Sequence, residues 1–379
     1  MGLSSMVATF GNMLWFYFLP VYYTEAYHAS PIEISGIYSV WLALAALGSA
    51  PAGVLADAYG RKNIIILSSL ISAAASYLFA ISNSFLLAAI ALPIAGLGSS
   101  FFRVANTLVA ESAETSRRGR AFGTYSMLSN IAAAFSPFLG GLTISNHGYF
   151  VLFVVGGSLT LAAVVLRIIY LKETLPASAR TSLSFGNMSS SFSGIRQIVH
   201  NRTLSALILV YSMYNILADQ NSFITPLYAR RVLDFDPVTL GVLFSVLLAV
   251  VAISRLPFGR MSDKIGRRKT VLVSWLGEIS VVYIFVFSPK SMPEVAIIGI
   301  AFWMLFGVMD GPAVNAWVAE ASDEKSRGLS MGMFYSITLL PTIPALILSG
   351  VLFSLLPQLP FYANSAIGLV ALIMLLALT

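Results

Sequence analysis

The chain has 379 residues, of which 58% are hydrophobic and 10% are charged, and its mean hydropathy is +0.84. A soluble domain carries about 25% charged residues, so this composition excludes a soluble globular protein. The net charge of +6 is explained by lysine and arginine residues that set the membrane topology. It does not indicate that the protein binds nucleic acid. The sequence contains no cysteine, which excludes disulfides and thiolate metal sites.

Apolar runs follow one another along the whole chain. A helix needs about 20 apolar residues to cross a bilayer, and the runs lack the alternation of a membrane β-barrel. We therefore predict an all-α polytopic membrane protein. Its twelve transmembrane helices are predicted at residues 3–24, 32–55, 63–82, 84–110, 119–145, 150–171, 203–229, 237–258, 269–288, 294–319, 328–356 and 359–379.

A Ser-rich segment divides the twelve runs into two sets of six. Residues 173–200 break the hydropathy and carry Pro176, and they contain nothing typical of a catalytic or ligand-binding domain. We predict an N-terminal bundle at 1–172, a cytoplasmic linker at 173–200 and a C-terminal bundle at 201–379.

Two motifs occur twice. GVLADAYGRK at 53–62 corresponds to GRMSDKIGRR at 259–268, which lies 206 residues further on. LVAESAETSRRG at 108–119 corresponds to WVAEASDEKSRG at 317–328, at an offset of 209. A duplicated half in a membrane chain is typical of transporters built from two related bundles. We therefore expect two six-helix bundles related by pseudo-two-fold symmetry.

The distribution of lysine and arginine predicts the orientation. If the N-terminus is cytoplasmic, sixteen of the 22 cations fall in inside loops and the linker, and three fall in outside loops. This positive-inside bias predicts that both termini are cytoplasmic. We expect a multi-pass protein of the plasma (inner) membrane.

The pattern at 53–62 resembles the signature loop between helices 2 and 3 of the major facilitator superfamily, and the resemblance covers nearly the whole chain. In that family such charges form a cytoplasmic gate that holds the bundles together when the site faces outward. The alternative is that the cations only determine topology. The gate residues that the resemblance implies are Asp57, Arg61, Glu111, Arg118, Asp263, Arg267, Glu320 and Arg327.

Ionisable residues inside predicted spans mark candidate functional sites, because a charge there is costly. Repeat alignment places Arg103 and Asp310 two positions apart on equivalent helices, which suggests that they pair directly or through a substrate. Asp219 and Asp310 are our candidates for proton coupling. A permanent salt bridge and, for Asp219, a helix–helix hydrogen bond are the structural alternatives. Glu278 lies on helix 9, a supporting helix in the family, where contact with a polar neighbour is favoured over coupling.

Polar and aromatic residues on helices 1, 4, 7 and 10 complete the predicted cavity, since the resemblance implies that these helices line it. Aromatic rings and amides suit a solute that is partly apolar. The alternative is that individual aromatic residues anchor or pack the helices. The predicted substrate-binding residues are Asn12, Trp15, Tyr22, Arg103, Asn106, Tyr211, Tyr214, Asn215, Gln220 and Asn315.

These features predict a secondary active transporter that works by alternating access, and not an enzyme. Helix 5 carries NIAAAFSPFLGG at 130–141, which partly resembles an element of drug/proton antiporters. Export of drugs or amphipathic metabolites, coupled to protons, is therefore favoured. Proton-coupled uptake of a small organic acid or sugar is the alternative, and sodium coupling, uniport or a sensor role on this fold remain open. We expect a small-molecule substrate, a lipid bilayer environment, no nucleic acid, no metal, no cofactor besides the proton gradient, and a monomer.

Overall fold

The computed structural model describes residues 1–112, 114, 117–176, 178, 180, 201–216, 222–322 and 327–378. Within these ranges the regular structure is entirely helical. Helices that are apolar on most faces suit a lipid environment, where every backbone polar group must bond within its own segment. In the N-terminal half the helices are α1 (Gly2–Phe16), α2 (Leu19–Tyr27), α3 (Pro31–Leu47), α4 (Ser49–Tyr59), α5 (Arg61–Ala80), α6 (Phe85–Phe102), α7 (Val104–Ser112) and α8 (Arg118–Tyr170).

The C-terminal half also contains both long helices and short helices separated by breaks. Its helices are α9 (Arg202–Asn215), α10 (Ile224–Arg231), α11 (Pro237–Ile265), α12 (Arg267–Val286), α13 (Pro293–Gly307), α14 (Asp310–Ala321), α15 (Arg327–Leu339), α16 (Thr342–Leu355) and α17 (Leu359–Leu378). The predicted linker falls largely on residues outside the described ranges, and the predicted domain limits at 172 and 201 stay a prediction.

Over the described residues, eight helices are long and apolar enough to cross a membrane, or nine if the bent pair α3 and α4 forms one span. Several of the twelve predicted runs are not single continuous helices in the structure. The run 3–24 is divided between α1 and α2. The described parts of the run 203–229 lie in α9 and α10, and residues 217–221 are outside the described ranges. The runs 119–145 and 150–171 correspond to the two parts of α8, which meet at a kink at Gly148, where φ is +78°.

Two equivalent helices are broken beside the ionisable residues that the sequence singles out. Arg103 separates α6 from α7, and its backbone N–H donates to the carbonyl of Ser100 at 3.3 Å. Likewise, α13 ends at Gly307 and α14 begins at Asp310. A break of this kind exposes the N-terminus of the following half-helix, whose partial positive charge favours a carboxylate.

The structure divides into two compact units. Unit 1 comprises Met1–Ser30, Gly36–Ser191 and Pro237–Ser245, and unit 2 comprises Pro31–Ser35, Phe192–Asp236 and Val246–Thr379. Within unit 1, the first turns of α11 pack on α8, where the N–H of Phe138 donates to Ser245 Oγ at 3.0 Å. The aromatic rings of Tyr17 and Phe244 also stack there, with centroids 4.3 Å apart.

Each unit has its own buried apolar cluster. In unit 1 it contains Ile64, Ile65, Val104 and Leu108, which belong to α5 and α7. In unit 2 it includes Tyr211, Trp275, Val314 and Phe334, which come from α9, α12, α14 and α15. Three members of the second cluster, Tyr211, Val314 and Phe334, also line the polar cavity of unit 2.

Candidate functional site

Asp310 lies at the start of α14 and is 7% exposed. Two neutral groups donate to its Oδ2 at 3.1 Å each, the phenol of Tyr211 from α9 and the indole N–H of Trp275 from α12. The backbone amides of Asp310 and Gly311 also lie against this carboxylate. A buried carboxylate needs such donors, because burial without them carries a large free-energy cost. These donors bind the carboxylate oxygens that burial removes from water.

Glu278 lies on α12, and its surroundings repeat the same pair of donor types. The phenol of Tyr214 donates to its Oε2, and the indole N–H of Trp303 donates to its Oε1 at 3.2 Å. Trp303 is fully buried and belongs to α13. Glu278 and Asp310 thus each accept hydrogen bonds from one tyrosine and one tryptophan.

An aromatic stack connects the two carboxylates. Tyr214, which donates to Glu278, stacks on Trp275, which donates to Asp310. The ring centroids are 4.1 Å apart and the planes are 8° from parallel. A displacement of either ring would therefore change the hydrogen bonding of both acids.

The two acids open into one cavity of about 270 Å³ in unit 2. Among the described residues of its lining, the ionisable groups are Glu278, Asp310 and three tyrosines, and none is a cation. The cavity combines aromatic, apolar and acidic surface, which is the mixture found in small-molecule sites. Its lining residues are Tyr211, Tyr214, Asn215, Glu278, Met304, Gly307, Val308, Asp310, Gly311, Val314, Phe334 and Tyr335.

The structure brings four of the predicted site residues of the C-terminal half together in this cavity, namely Tyr211, Tyr214, Asn215 and Asp310. Asn315 lies nearby on α14, where its Oδ1 accepts a hydrogen bond from Tyr335. The predicted proton-coupling residue Asp219 and the predicted ligand Gln220 lie outside the described residues.

The predicted residues of the N-terminal half belong to unit 1. Arg103 and Asn106 are both exposed, three positions apart at the break between α6 and α7. The amide of Asn12 donates to the carbonyl of Ala8 within its own helix at 3.0 Å. Arg103 and Asp310 belong to different units, and their pairing stays a prediction.

Trp15 and Tyr22 are packing residues in unit 1. Trp15 is 2% exposed and its ring lies 5.5 Å from that of Phe79. Tyr22 is 6% exposed, and its hydroxyl lies 2.8 Å from Ser82 Oγ. These positions favour the packing alternative for both side chains over direct contact with a solute.

The first signature loop forms an ion-pair cluster in unit 1. Arg61 begins α5 and pairs with Glu111, and its Nη2 lies 3.5 Å from Asp57 Oδ1. The Arg61 side chain is only 12% exposed. Glu111 also accepts a hydrogen bond from Thr174 Oγ1 at 2.7 Å. The predicted gate residue Arg118 has no described side chain, and Arg61 is the cation that the structure places beside Glu111.

The second signature loop repeats this cluster in unit 2. Arg267 Nη1 lies 2.5 Å from Asp263 Oδ1, and Arg267 Nη2 lies 2.9 Å from Glu320 Oε1. Gly60 and Gly266 precede the two arginines and have φ values of +95° and +92°. Only glycine adopts that conformation without strain, so the local turn explains the glycine in each repeat. The side chain of Arg327 is not described.

Glu173 is a functional candidate that our sequence reasoning did not single out. Its carboxylate accepts hydrogen bonds at 3.1 Å from the backbone N–H groups of Arg61 and Lys62, at the N-terminus of α5. Partial burial raises the pKa of Glu173, but hydrogen bonds from the backbone of Leu175, Lys62, Arg61 and Thr174 outweigh that effect and hold the pKa below its usual value. Glu173 therefore caps α5 from a distant part of the chain.

Three further residues of this site were not predicted from the sequence to bind a solute, namely Glu278 and the two buried tryptophans that donate to the acids. For Glu278 the sequence analysis favours contact with a polar neighbour over coupling, and the structure shows such contacts with Tyr214 and Trp303. Glu278 also lines the same cavity as Asp310. Trp275 and Trp303 carried no individual signal, because tryptophans in apolar spans are common as anchors. An acid within an apolar helix was the only available indication, and it applied to Glu278.

A helical membrane fold with duplicated charged loops and an acidic cavity defines a polytopic membrane transporter. The sequence profile of the Major Facilitator Superfamily matches residues 1–256 and 220–379. The chain belongs to this superfamily, which confirms the predicted fold class and the prediction that it is not an enzyme.

Named relatives are similar over most of the chain. The multidrug resistance protein MdtG of Salmonella paratyphi A is 26% identical over 320 residues, covering 82% of this chain and 77% of the relative. The cis,cis-muconate transport protein of Acinetobacter baylyi is 25% identical over 324 residues, covering 82% and 76%. A solved structure of the nucleoside transporter NupG (D323A mutant) has a TM-score of 0.84 at 14% identity, covering 100% of this chain and 99% of that one. That similarity supports the fold alone.

Proposed function

We propose that this transporter is a proton-coupled exporter of drugs or amphipathic metabolites that works by alternating access. The observation that carries the proposal is the pair of carboxylates, Glu278 and Asp310, in one aromatic-lined cavity whose described lining holds no cation. Such a site can exchange a proton for a positively charged or strongly polar solute. The similarity to the multidrug resistance protein MdtG supports the same direction.

Uptake of a small organic acid or sugar is the second candidate. The similarity to a cis,cis-muconate transport protein supports it. The charge of the unit 2 cavity opposes it, because a carboxylate solute would be repelled by Glu278 and Asp310. An acid would need the exposed cation Arg103 of unit 1 as its partner.

In the proposed cycle, Asp310 binds a proton when no solute is present and releases it when the solute arrives. Asp219 is proposed as a second proton carrier on the grounds of its predicted depth in helix 7. The clusters around Arg61 and Arg267 are proposed as the cytoplasmic gate. Ion pairs of this type can break and re-form as a gate opens, because exposed pairs each contribute only about 0–1 kcal/mol.

We further propose a monomer in the plasma membrane with both termini in the cytoplasm, on the strength of the lysine and arginine distribution. The proton gradient is the energy source in this proposal. No other cofactor is invoked.

The decisive experiment uses purified protein in liposomes loaded with a pH-sensitive dye. Lipophilic cations, organic acids and sugars are added in turn, and the internal pH is followed. Counter-movement of protons with a cation would support the exporter. Movement of protons together with an acid or sugar would support uptake instead. Transport of a cation without any pH change would contradict proton coupling.

A further inference from the structure

We propose that the cavity of unit 2 is a two-charge site for organic cations. In this site Asp310 pairs with one cationic group, and Glu278 takes either a second cationic group of the same solute or a proton. The inference rests on the proposed function and deepens it, because it names the substrate class and predicts how many protons each solute displaces.

The two acids of the cavity face groups that are neutral near pH 7. Among the described residues, the titratable groups that face Glu278 and Asp310 are Tyr211 and Tyr214 from α9 and Tyr335 from α15. Phenols are neutral near pH 7, with an ordinary pKa of about 10. The described lining therefore contains two potential negative charges and no positive one. Two carboxylates in one partly dry cavity must be neutralised, either by protons or by cations.

The aromatic surface favours organic cations over inorganic ones. Tyr214, Phe334 and Tyr335 all line the cavity, and aromatic faces attract ammonium groups within about 6 Å of the ring centroid. Space is available beside both acids. A methyl group placed on Gly307 would lie 3.5 Å from the Glu278 carboxylate, and one on Gly311 would meet no atom within 4 Å.

The hydrogen bonds assign different roles to the two acids. Asp310 accepts from Tyr211 and Trp275, and it also lies against the backbone amides at the start of α14. Among the hydrogen bonds that the structure describes, Glu278 accepts one from a phenol and one from an indole, one on each carboxylate oxygen. The helix N-terminus gives Asp310 additional stabilisation as an anion. Asp310 is therefore the anchor for a cation, and Glu278 is the acid that keeps its proton when only one positive charge enters.

Charge balance then predicts how many protons each bound solute displaces. A monocation displaces the proton of Asp310, and Glu278 stays protonated. A dication displaces both protons, which pass to water. The number of protons released per solute should therefore be about one for a monocation and about two for a dication of the same scaffold.

The test uses quaternary ammonium probes, because they do not titrate and every released proton must come from the protein. Benzyltrimethylammonium is compared with its para-bis(trimethylammoniomethyl) analogue on purified protein in lightly buffered lipid nanodiscs. Proton release is measured with a pH dye between pH 5.5 and 8, and the maximum values are compared. Tryptophan fluorescence reports occupancy, because Trp275 and Trp303 contact the two acids.

The variants separate the two acids. E278Q should lower proton release by the dication to about one per solute, the value that the monocation gives in the wild type. D310N should weaken the binding of both probes at least tenfold. Glu278→Asp should restore the release of the second proton. Glu294→Gln, an exposed acid on α13, is the matched control and should behave as the wild type.

Equal proton release by the two probes in the wild-type protein would overturn the inference, and so would an unchanged dication value in E278Q. Cation transport coupled to protons would in that case still stand, and only the two-charge site would be lost. If the wild type neither binds nor transports any cation, the proposed function itself fails.

Discussion

Tyr214 stacks on Trp275 with ring centroids 4.1 Å apart, and each ring donates a hydrogen bond to a different acid of the same cavity. This stack joins α9 to α12 and places the donors of Glu278 and Asp310 in direct contact. The two acids are therefore coupled through packing as well as through charge, and a change at one ring should affect both.

Replacement of Trp275 by phenylalanine tests the indole N–H apart from the ring. Trp275→Phe keeps an aromatic partner for Tyr214 but removes one donor from Asp310. A hydrogen bond to a charged group contributes about 1.5–3 kcal/mol, so we expect cation affinity at neutral pH to fall roughly tenfold or more. Equilibrium binding in nanodiscs measures this. Trp317→Phe, on α14 but outside the contacts of Asp310, should change affinity less than twofold, and an equal loss in both variants would contradict the role of the N–H.

Neutralising Asp310 tests its role in coupling. Asp310→Asn should abolish proton-driven accumulation and leave exchange of solute for solute measurable, because an amide cannot carry the proton. Asp219→Asn should give the same result if Asp219 is a second carrier. Counterflow and pH-gradient-driven transport in the same liposomes separate the two activities. Undiminished accumulation in both variants would remove these residues from the coupling mechanism.

The gate can be tested at Asp57, an exposed acid of the first cluster. Asp57→Asn removes the weaker partner of Arg61 while Glu111 remains. An exposed pair contributes about 0–1 kcal/mol, so we expect turnover to fall up to about fivefold while solute affinity stays constant. Glu114→Gln, which disturbs the surface pair with Arg117, is the control. Loss of binding in a folded Asp57→Asn protein would show that Asp57 acts on the site and not on the gate.

The two signature glycines should differ in their tolerance of alanine. Both have positive φ, and a left-handed conformation costs a non-glycine residue roughly 1–2 kcal/mol. At Gly60 an added methyl group would also meet the carboxylate of Glu173, whereas at Gly266 it would meet no atom within 4 Å. Thermal unfolding should therefore show a larger loss of stability for Gly60→Ala than for Gly266→Ala. The reverse order would contradict the contact with Glu173.

Stability should depend on the ionisation of Glu173 at acid pH. Its pKa in the folded protein lies below the ordinary value of 4.5, so the ionised form stabilises the fold above that pH. This contribution is lost as the pH falls through the lowered pKa. The difference in Tm between the wild type and Glu173→Gln should be constant near neutral pH and should shrink below about 4.5. A difference that is independent of pH would indicate that only the shape of the side chain matters.

Local properties explain what could be predicted from sequence. The apolar runs, the glycines of the signature loops and the repeated charged motifs each depend on a few neighbouring residues, so the membrane fold and the superfamily could be inferred. The break beside Asp310 was not predicted, because apolar composition continues through it. Hydropathy records the length of an apolar run and not the course of its backbone.

The sequence by itself determined that this protein is a duplicated helical transporter with an acid in helix 10 and another in helix 9. Only the tertiary structure decided that the two acids share a cavity, because Glu278 and Asp310 lie on different helices and are held by donors from two more. It also decided which cations lie beside Glu111 and Glu320. Such contacts depend on how helices pack, and packing joins residues whose separation along the chain carries no record of their distance in space.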